Sequence, residues 1–486
     1  MILYICNHDF KYEVESLCRA FFINEKFEIK YNNDKACDFY IFTALDKIND
    51  KLKISIEIKK DSLILKEEKI IEDTDEKTTE YELCFLLYKM LCKFTGKTLK
   101  WGMLTGIRPV KLFRELSKTQ TVEKAEDLFK NKFLVSQEKT TLAKTISKNQ
   151  ENIINKSSAN SFSLYVSIPF CPSRCNYCSF VSQSIEKCKH LIPEYLDLLC
   201  REIKTTAKLA KKLNLNLKSI YIGGGTPTIL EAEQIKILTS EILNNFASSE
   251  LMEFTFEAGR PDTISKDKLL AIKNSQVNRI SINPQTLNDD ILIAIGRKHT
   301  VLQTYKAFEL ARDLGFNNIN MDLIAGLEKD TLENFSKTIK NTLKLSPESI
   351  TLHTLALKKS SNLNLAGKQV KENFNTLVEN MLNLAYSKFS DFSYEPYYLY
   401  RQSKMLGNLE NTGFSKPGFK SAYNIFMMEE IHTVLAVGAG AVTKLKNPYN
   451  NKIERIFNFK YPYEYISRFD ELIARKEKVS EFYDEF

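Results

Sequence analysis

The sequence lacks a long apolar segment and a recognisable export signal. None of its uninterrupted apolar stretches reaches the roughly 20 residues that a membrane-spanning helix needs. The N-terminal stretch Met1–Asp9 has neither a basic segment nor a long apolar core. Ten cysteines in a chain without an export signal argue against a disulfide framework. These absences predict a cytoplasmic protein with reduced thiols.

The composition is that of a soluble globular protein. Of the 486 residues, 43% are hydrophobic and 27% are charged, which suits a chain of about two to four domains. The formal net charge is +8, but the lysines are spread over many predicted helical faces. This distribution favours an anionic partner and does not predict nucleic-acid binding.

Three cysteines stand close together in the stretch Tyr165–Phe180, which reads Y-V-S-I-P-F-C-P-S-R-C-N-Y-C-S-F. Cys171, Cys175 and Cys178 have the spacing C-x3-C-x2-C and follow a predicted strand. A closed structural zinc site takes four ligands, whereas three thiolates leave one iron of a cubane iron–sulfur cluster open. The spacing therefore predicts such a cluster; the alternatives are a zinc site with a distant fourth ligand or three incidental thiols. The other cysteines are predicted to be buried structural thiols.

Strands and helices alternate regularly after residue 160. The predicted strands are Leu164–Ile168, Ser219–Ile222, Glu253–Glu257, Arg279–Ile282, Ile319–Leu323 and Ser349–His353. Helices are predicted near 191–212, 231–246, 264–274, 300–314 and 331–345. Six such repeats predict a parallel sheet with helices outside, in either an open barrel or a doubly wound sheet.

Polar residues or glycines stand near or just after the ends of most of these strands. They are Gly223–Thr228, Glu257, Gln285, Asp322 and the segment His353–Ala356. A single carboxylate at such a place is more often a helix cap or part of a surface ion pair. Because the carboxyl ends of parallel strands lie at one edge of the sheet, the whole set predicts a ligand site there.

The flanking regions are predicted to form further domains. Residues 1–97 read as a small α/β domain, 98–160 as a helical connector with Trp101 as a packing residue, 161–385 as the barrel, and 386–486 as a mixed, mostly helical C-terminal domain. The segment Tyr394–Gln402 contains four tyrosines and Arg401. This segment is predicted either to wall a flat anionic ligand or to pack against the barrel.

These motifs resemble the radical S-adenosylmethionine (SAM) superfamily. Its hallmark is C-x3-C-x2-C with an aromatic residue before the last cysteine, here Tyr177. The motifs Y-V-x-I-P-F-C, G-G-G-T-P-T, R-I-S-x-x-x-Q and D-L-I-x-G-L resemble the oxygen-independent coproporphyrinogen III oxidase group. The motifs W-G-x-L-T-G-I-R-P, H-T-L-A and Y-Y-L-Y-R-Q resemble its HemZ-type coproporphyrinogen dehydrogenase branch. The pattern departs from the family at Ser167, where a histidine is common.

The resemblance implies an α/β fold, namely a partial (β/α)6 radical SAM barrel, and a set of site residues. Cys171, Cys175 and Cys178 would hold three irons of a 4Fe–4S cluster, and the fourth iron would bind SAM. Tyr165 and Glu257 are the implied catalytic residues, with Tyr165 near the sulfonium. The implied contacts to this SAM or to a second one are Gly224, Gly225, Thr226, Glu257, Gln285, Arg297, Asp322, Ile324 and Ala356.

The resemblance also implies a reaction of anaerobic haem biosynthesis. A 5′-deoxyadenosyl radical would take hydrogen from propionate side chains of coproporphyrinogen III, and loss of CO2 would leave the vinyl groups of protoporphyrinogen IX. The partners would be this anionic tetrapyrrole, held by Arg260, Lys358 and Arg401, and a low-potential electron donor such as flavodoxin or ferredoxin. The alternatives are a haem-binding chaperone of the same family and an anaerobic radical SAM enzyme that modifies or degrades haem. A C-terminal domain over 386–486 would cover the substrate.

Overall fold

The computed structural model describes residues 1–22, 25–35, 37–178, 182–246, 248–356, 372–402 and 408–486. The chain forms two compact units. Unit 1 comprises Met1–Lys144, Leu365–Asn375 and Arg401–Leu409, and unit 2 comprises Thr145–Asn364, Thr376–Tyr400 and Glu410–Phe486. Within the described ranges, no helix combines the length and the apolarity that a membrane crossing requires.

Unit 1 contains a five-stranded sheet in the order β2-β1-β3-β4-β5, with β1 parallel to both neighbours and the later pairs antiparallel. Its strands are β1 (Ile2–Cys6), β2 (Glu28–Lys30), β3 (Phe39–Ile48), β4 (Lys51–Lys60) and β5 (Leu63–Glu72). Its helices are α1 (Lys11–Phe21), α2 (Glu76–Thr95), α3 (Pro109–Thr119) and α4 (Val122–Asp127), followed by a π-helical segment over Leu128–Lys132. One face of the sheet packs on α1 and α2 through a core that includes Leu3, Ile41 and Leu87.

Unit 2 is organised around an eleven-stranded sheet in the order β14-β15-β13-β12-β11-β10-β9-β6-β16-β17-β18. Its strands are β6 (Ser161–Ile168), β7 (Phe170–Cys171), β8 (Gln183–Ser184), β9 (Asn216–Gly224), β10 (Glu253–Gly259), β11 (Arg279–Ile282), β12 (Ile319–Ala325), β13 (Ser349–Thr354), β14 (Glu395–Tyr400), β15 (Asn411–Ser415), β16 (Thr433–Val437), β17 (Val442–Lys446) and β18 (Ile453–Phe457). The short strands β7 and β8 form a separate parallel ladder. The six predicted strands correspond to β6 and β9–β13, which are parallel and adjacent in chain order.

Helices connect these strands. They are α6 (Ile185–Cys188), α7 (Ile192–Lys212), α8 (Ala232–Asn245), α9 (Lys266–Lys273), α10 (Asp289–Ala294), α11 (Val301–Asp313), α12 (Leu332–Leu345), α14 (Ala422–Glu429), α15 (Pro462–Ser467), α16 (Phe469–Arg475) and α17 (Glu477–Tyr483), with short 3-10 turns at Lys189–Leu191, Pro227–Ile229 and Pro261–Thr263. Two further helices, α5 (Gln137–Ile154) and α13 (Glu372–Asp391), contain residues of both units. The five helices predicted between the barrel strands are thus present as α7, α8, α9, α11 and α12.

The C-terminal residues extend this sheet at both sides. Strand β15 pairs antiparallel with β13, and β16 pairs parallel with β6. The strands β14, β17 and β18 continue the two sides. Residues 395–457 therefore supply five strands of the barrel's own sheet.

The alternation of residues along β6 determines which side chains face the interior. Phe162, Leu164, Val166 and Ile168 belong to the large buried core. Successive side chains of a strand point to opposite faces. The residues between them therefore face the other side, and Tyr165 is one of these.

A buried ionic network stabilises the end of β16. The carboxylate of Glu202, on α7, is fully buried, forms an ion pair with Lys476 Nζ at 2.8 Å and accepts a hydrogen bond from Asn458 Nδ2 at 2.8 Å. Its other oxygen accepts from Tyr465 Oη at 2.7 Å and from the backbone N–H of Gly438 at 2.8 Å. With four donors around one carboxylate, the turn after β16 is held rigidly against α7.

Candidate active site

Three tyrosine rings form a stack inside unit 2. Tyr165 and Tyr221 are register partners on β6 and β9, with ring centroids 6.2 Å apart. Tyr423, on α14, lies 4.5 Å from Tyr221 and 6.3 Å from Tyr165, and all three pairs are stacked. Tyr165 and Tyr221 are half-buried, whereas Tyr423 is buried. The stack therefore presents a flat, largely apolar wall beside the polar ends of the strands.

Glu257 lies next to this wall, near the end of β10. Its carboxylate accepts a hydrogen bond from the Tyr221 hydroxyl. Burial raises the pKa of Glu257 to about 7; the hydrogen bond from Tyr221 opposes this rise, and the negative charge of Asp322 adds to it. A carboxyl group with such a pKa can hold or release a proton at neutral pH.

The pKa of Asp322, on β12, is shifted in the opposite direction. Burial alone would raise its pKa, but His353 and Asn320 outweigh burial and hold the pKa below its ordinary value. Asn320 Nδ2 donates to the carboxylate at 2.8 Å, and His353 Nε2 lies 3.7 Å from its other oxygen. The site thus combines one carboxylate that stays ionised with one that protonates near neutrality.

The glycine-rich turn after β9 is in contact with the first cysteine. Gly224 has φ +109°, a conformation that side chains disfavour. The N–H of Gly225 donates to the Ile168 carbonyl at 2.7 Å. A Cβ atom on Gly225 would lie 2.5 Å from the Phe170 carbonyl oxygen and 2.9 Å from Cys171 Sγ. Only glycine fits between the turn and the cysteine.

The loop that carries the other two cysteines is attached to the segment after α10. The Asn176 backbone N–H donates to the Ile295 carbonyl at 3.0 Å, and its side chain donates to the Ala294 carbonyl at 3.1 Å. Arg297 Nε donates to the Tyr177 hydroxyl at 3.2 Å. In the described part of the chain, no three His, Cys, Asp or Glu side chains are arranged to hold a metal ion. The assignment of Cys171, Cys175 and Cys178 as ligands therefore rests on their spacing.

Arg260 contacts the protein itself and not an open surface. It is buried, forms two hydrogen bonds with the Asp262 carboxylate at 3.0 and 2.8 Å, and donates to Ser173 Oγ at 2.8 Å. These contacts do not support the hypothesis that Arg260 binds a substrate carboxylate. They show that Arg260 anchors the loop that carries the cysteines.

The two other cations predicted to bind substrate lie elsewhere. Lys358 is outside the described residues. Arg401 belongs to unit 1, where its guanidinium is buried and donates to the Leu104 carbonyl and to Asn408. Its contacts likewise do not support a role in substrate binding.

Gln285 follows β11 and carries an unsatisfied acceptor. Its backbone N–H donates to the Asp322 carbonyl at 2.9 Å, and its carbonyl accepts from the Ile324 N–H at 3.0 Å. Its side-chain oxygen is buried and has no hydrogen-bond partner among the described residues. A buried polar atom without a partner is costly unless a ligand satisfies it. Ile324 is buried on β12, and Ala356 is half-buried just after β13.

Ser167 is held by hydrogen bonds to other segments of unit 2. Its hydroxyl donates to the Ala439 carbonyl at 2.8 Å, and its own carbonyl accepts from the Tyr195 hydroxyl at 2.8 Å. A Cβ atom on Gly438 would lie 3.2 Å from the Ser167 Cβ. The surroundings are thus tight, and Ser167 attaches the end of β6 to the turn after β16.

Comparisons with known proteins point to one superfamily. The family model described as "Radical SAM superfamily" matches residues 165–341. The oxygen-independent coproporphyrinogen-III oxidase-like protein HemZ of Bacillus subtilis is 36% identical over 466 residues, which cover 94% of this chain and 93% of the relative. Heme chaperone HemW of the same organism is 33% identical over 309 residues, covering 62% of this chain and 77% of the relative. The solved structure of coproporphyrinogen III oxidase HemN from Escherichia coli has a TM-score of 0.52 at 23% identity, covering 67% of this chain and 73% of that one.

The fold and the cysteine motif thus define a radical SAM protein. The chain belongs, within that superfamily, to the family that contains the HemZ and HemW relatives. Membership implies a 4Fe–4S cluster and SAM. The close glycine turn, the unsatisfied Gln285 oxygen and the two carboxylates fit a cluster with a bound polar nucleotide.

Sequence analysis missed two members of the tyrosine stack. Tyr221 stands two residues before Gly223 on a strand, so the period of two places both on one face and could have identified it. Tyr423 comes from a helix about 170 residues beyond Glu257 and carries no local signal. Only the packing of α14 reveals it.

Proposed function

We propose that the protein is an oxygen-independent coproporphyrinogen III oxidase, a radical SAM oxidoreductase that converts propionate side chains to vinyl groups. The observation that carries this proposal is the similarity over 94% of the chain to a relative whose name describes it as coproporphyrinogen-III oxidase-like. In this reaction each propionate loses one hydrogen atom, one CO2 and one electron. The electron passes to an external one-electron acceptor.

In the proposed mechanism, the cluster and SAM, when bound, supply one electron and a 5′-deoxyadenosyl radical that abstracts the hydrogen atom. Cys171, Cys175 and Cys178 would hold the cluster. Gly224, Gly225 and Thr226 would line the amino and carboxylate end of SAM, which could approach closely because the two glycines carry no side chain. A flavodoxin or a ferredoxin would be a suitable donor of the low-potential electron.

The residues at the strand ends would orient the nucleotide and exclude water. Ionised Asp322 and the free Gln285 oxygen would accept hydrogen bonds from its hydroxyl and amino groups. The ring of Tyr165 would cover the reacting end of SAM. Stacking with Tyr221 would limit the movement of this ring. Glu257 would hold a proton at neutral pH, and so would avoid a second fixed negative charge beside Asp322.

The test is anaerobic turnover with a defined tetrapyrrole. The chain is reconstituted with iron and sulfide, supplied with SAM and a low-potential reductant, and given either coproporphyrinogen III or haem. We expect 5′-deoxyadenosine and protoporphyrinogen IX only with coproporphyrinogen III. The Cys175→Ser variant should abolish both products, whereas Cys37→Ser, a half-buried thiol of unit 1, should not.

A second candidate is a haem-binding chaperone. It is favoured by the relatives named heme chaperone HemW, of which the Bacillus subtilis protein is 33% identical. Stable haem binding without conversion of coproporphyrinogen III would reject the oxidase proposal and support this one. Turnover of coproporphyrinogen III without stable haem binding would reject the chaperone.

A further inference from the structure

Cys171 is held in place by a short parallel ladder. It lies on β7, which pairs with β8 through Cα partners Cys171 and Ser184. The preceding turn is attached to the same ladder, because the Gln183 N–H donates to the Pro169 carbonyl at 2.9 Å. The fold itself therefore determines where the first sulfur lies.

One hydroxyl group donates to this sulfur. Thr226 is buried, and its Oγ1 donates a hydrogen bond to Cys171 Sγ at 3.4 Å. The Thr226 backbone N–H donates to the Phe170 carbonyl at 2.8 Å, so the hydroxyl is held next to the cysteine.

We infer that Thr226 is a positioning residue that raises the reduction potential of the iron–sulfur cluster through its hydrogen bond to the Cys171 sulfur. A hydrogen bond to a ligand sulfur withdraws electron density, and it is strongest when the cluster carries its extra electron. The Thr226 hydroxyl therefore stabilises the reduced state. The inference rests on the cluster that the superfamily implies and is independent of the tetrapyrrole substrate.

The test compares two substitutions at one position. Thr226→Val keeps the branched shape and removes the hydroxyl, whereas Thr226→Ser keeps the hydroxyl. The midpoint potential is measured by an anaerobic redox titration followed by electron paramagnetic resonance, without SAM, so that nucleotide binding does not contribute. We expect Thr226→Val to weaken the one-electron reduction by up to about tenfold, equivalent to about 59 mV, and Thr226→Ser to restore it.

The matched control is Thr228→Val. Thr228 is a buried threonine of the same turn, and its hydroxyl donates to the Ala258 carbonyl at 2.6 Å. The Thr228→Val substitution should leave the midpoint potential unchanged. An unchanged potential in Thr226→Val, or an equal shift in Thr228→Val, overturns the inference.

Thr226→Ala provides a second measurement if Thr226→Val fails to assemble a cluster. It should also lower the potential, and a wild-type value in that variant would then overturn the inference. Because each variant is titrated without substrate, an absence of coproporphyrinogen turnover would reject the proposed function and leave this result standing.

Discussion

Glu257→Gln should make the protein more stable at alkaline pH while removing a residue of the proposed site. Glutamine keeps the shape of glutamate, and its carbonyl oxygen can still accept the hydrogen bond from Tyr221. It cannot ionise. In the wild-type protein, deprotonation of Glu257 places a second negative charge in buried surroundings near Asp322, which glutamine avoids.

The magnitude follows from the pKa of Glu257. Folding raises this pKa from its ordinary value of 4.5 to about 7. Each pKa unit is equivalent to about 1.4 kcal/mol, so ionisation of Glu257 costs the folded state at most about 3 kcal/mol. Because the folded state binds the proton more tightly, the free energy of unfolding falls as the pH rises through the interval from 4.5 to about 7. In Glu257→Gln, the free energy of unfolding should not show this decrease.

The assay is urea unfolding of the metal-free protein, with thiols reduced, at about pH 5 and about pH 8. At the higher pH the variant should exceed the wild type by about 3 kcal/mol, and at the lower pH by less than about 1 kcal/mol. Glu309→Gln, at an exposed position on α11, is the matched control and should follow the wild type at both values. If wild type and Glu257→Gln respond equally to pH, Glu257 is ionised throughout and the reasoning fails.

Three further substitutions test other parts of unit 2. Cys175→Ser should abolish the cluster absorption at about 400 nm, and a spectrum like that of the wild type would remove Cys175 from the ligand set. Gly225→Ala should displace Cys171, since the alanine Cβ would lie 2.9 Å from the sulfur. The iron content after reconstitution should therefore be reduced, and full iron content would contradict this expectation. Lys476→Met leaves the Glu202 carboxylate buried without its cation; we expect a loss of about 3–5 kcal/mol in urea unfolding, and a loss below about 1 kcal/mol would show that the other donors suffice.

Much of the barrel is predictable from local patterns. The six parallel strands carry apolar residues at alternate positions, and the helices between them have ordinary lengths, so both follow from periodicity. The placement of Glu257 near the end of β10 follows as well, because parallel strands end at one edge of the sheet, whereas Asp322 lies in the middle of β12. The C-terminal strands were not predicted, since the choice of β6 and β13 as partners depends on contacts between residues far apart in the chain.

The arginines predicted to bind substrate show the same limit of prediction from sequence. Arg260 and Arg401 looked like substrate contacts because a tetrapyrrole with four carboxylates needs positive charge. The structure places both guanidinium groups against internal acceptors, Asp262 and the Leu104 carbonyl respectively. Sequence shows that a charge is present, but its partner is decided by which segments pack together.

The class of chemistry is predictable from local features of the chain, namely the spacing of Cys171, Cys175 and Cys178 and the glycine run after a strand. Tertiary structure alone decided how the site is completed. Tyr423 reaches the stack from a distant helix, and Ser167 takes the Ala439 carbonyl as its partner. The physical reason is that hydrogen bonds and ring contacts depend on distances in space, which packing of remote segments sets and residue order does not reveal.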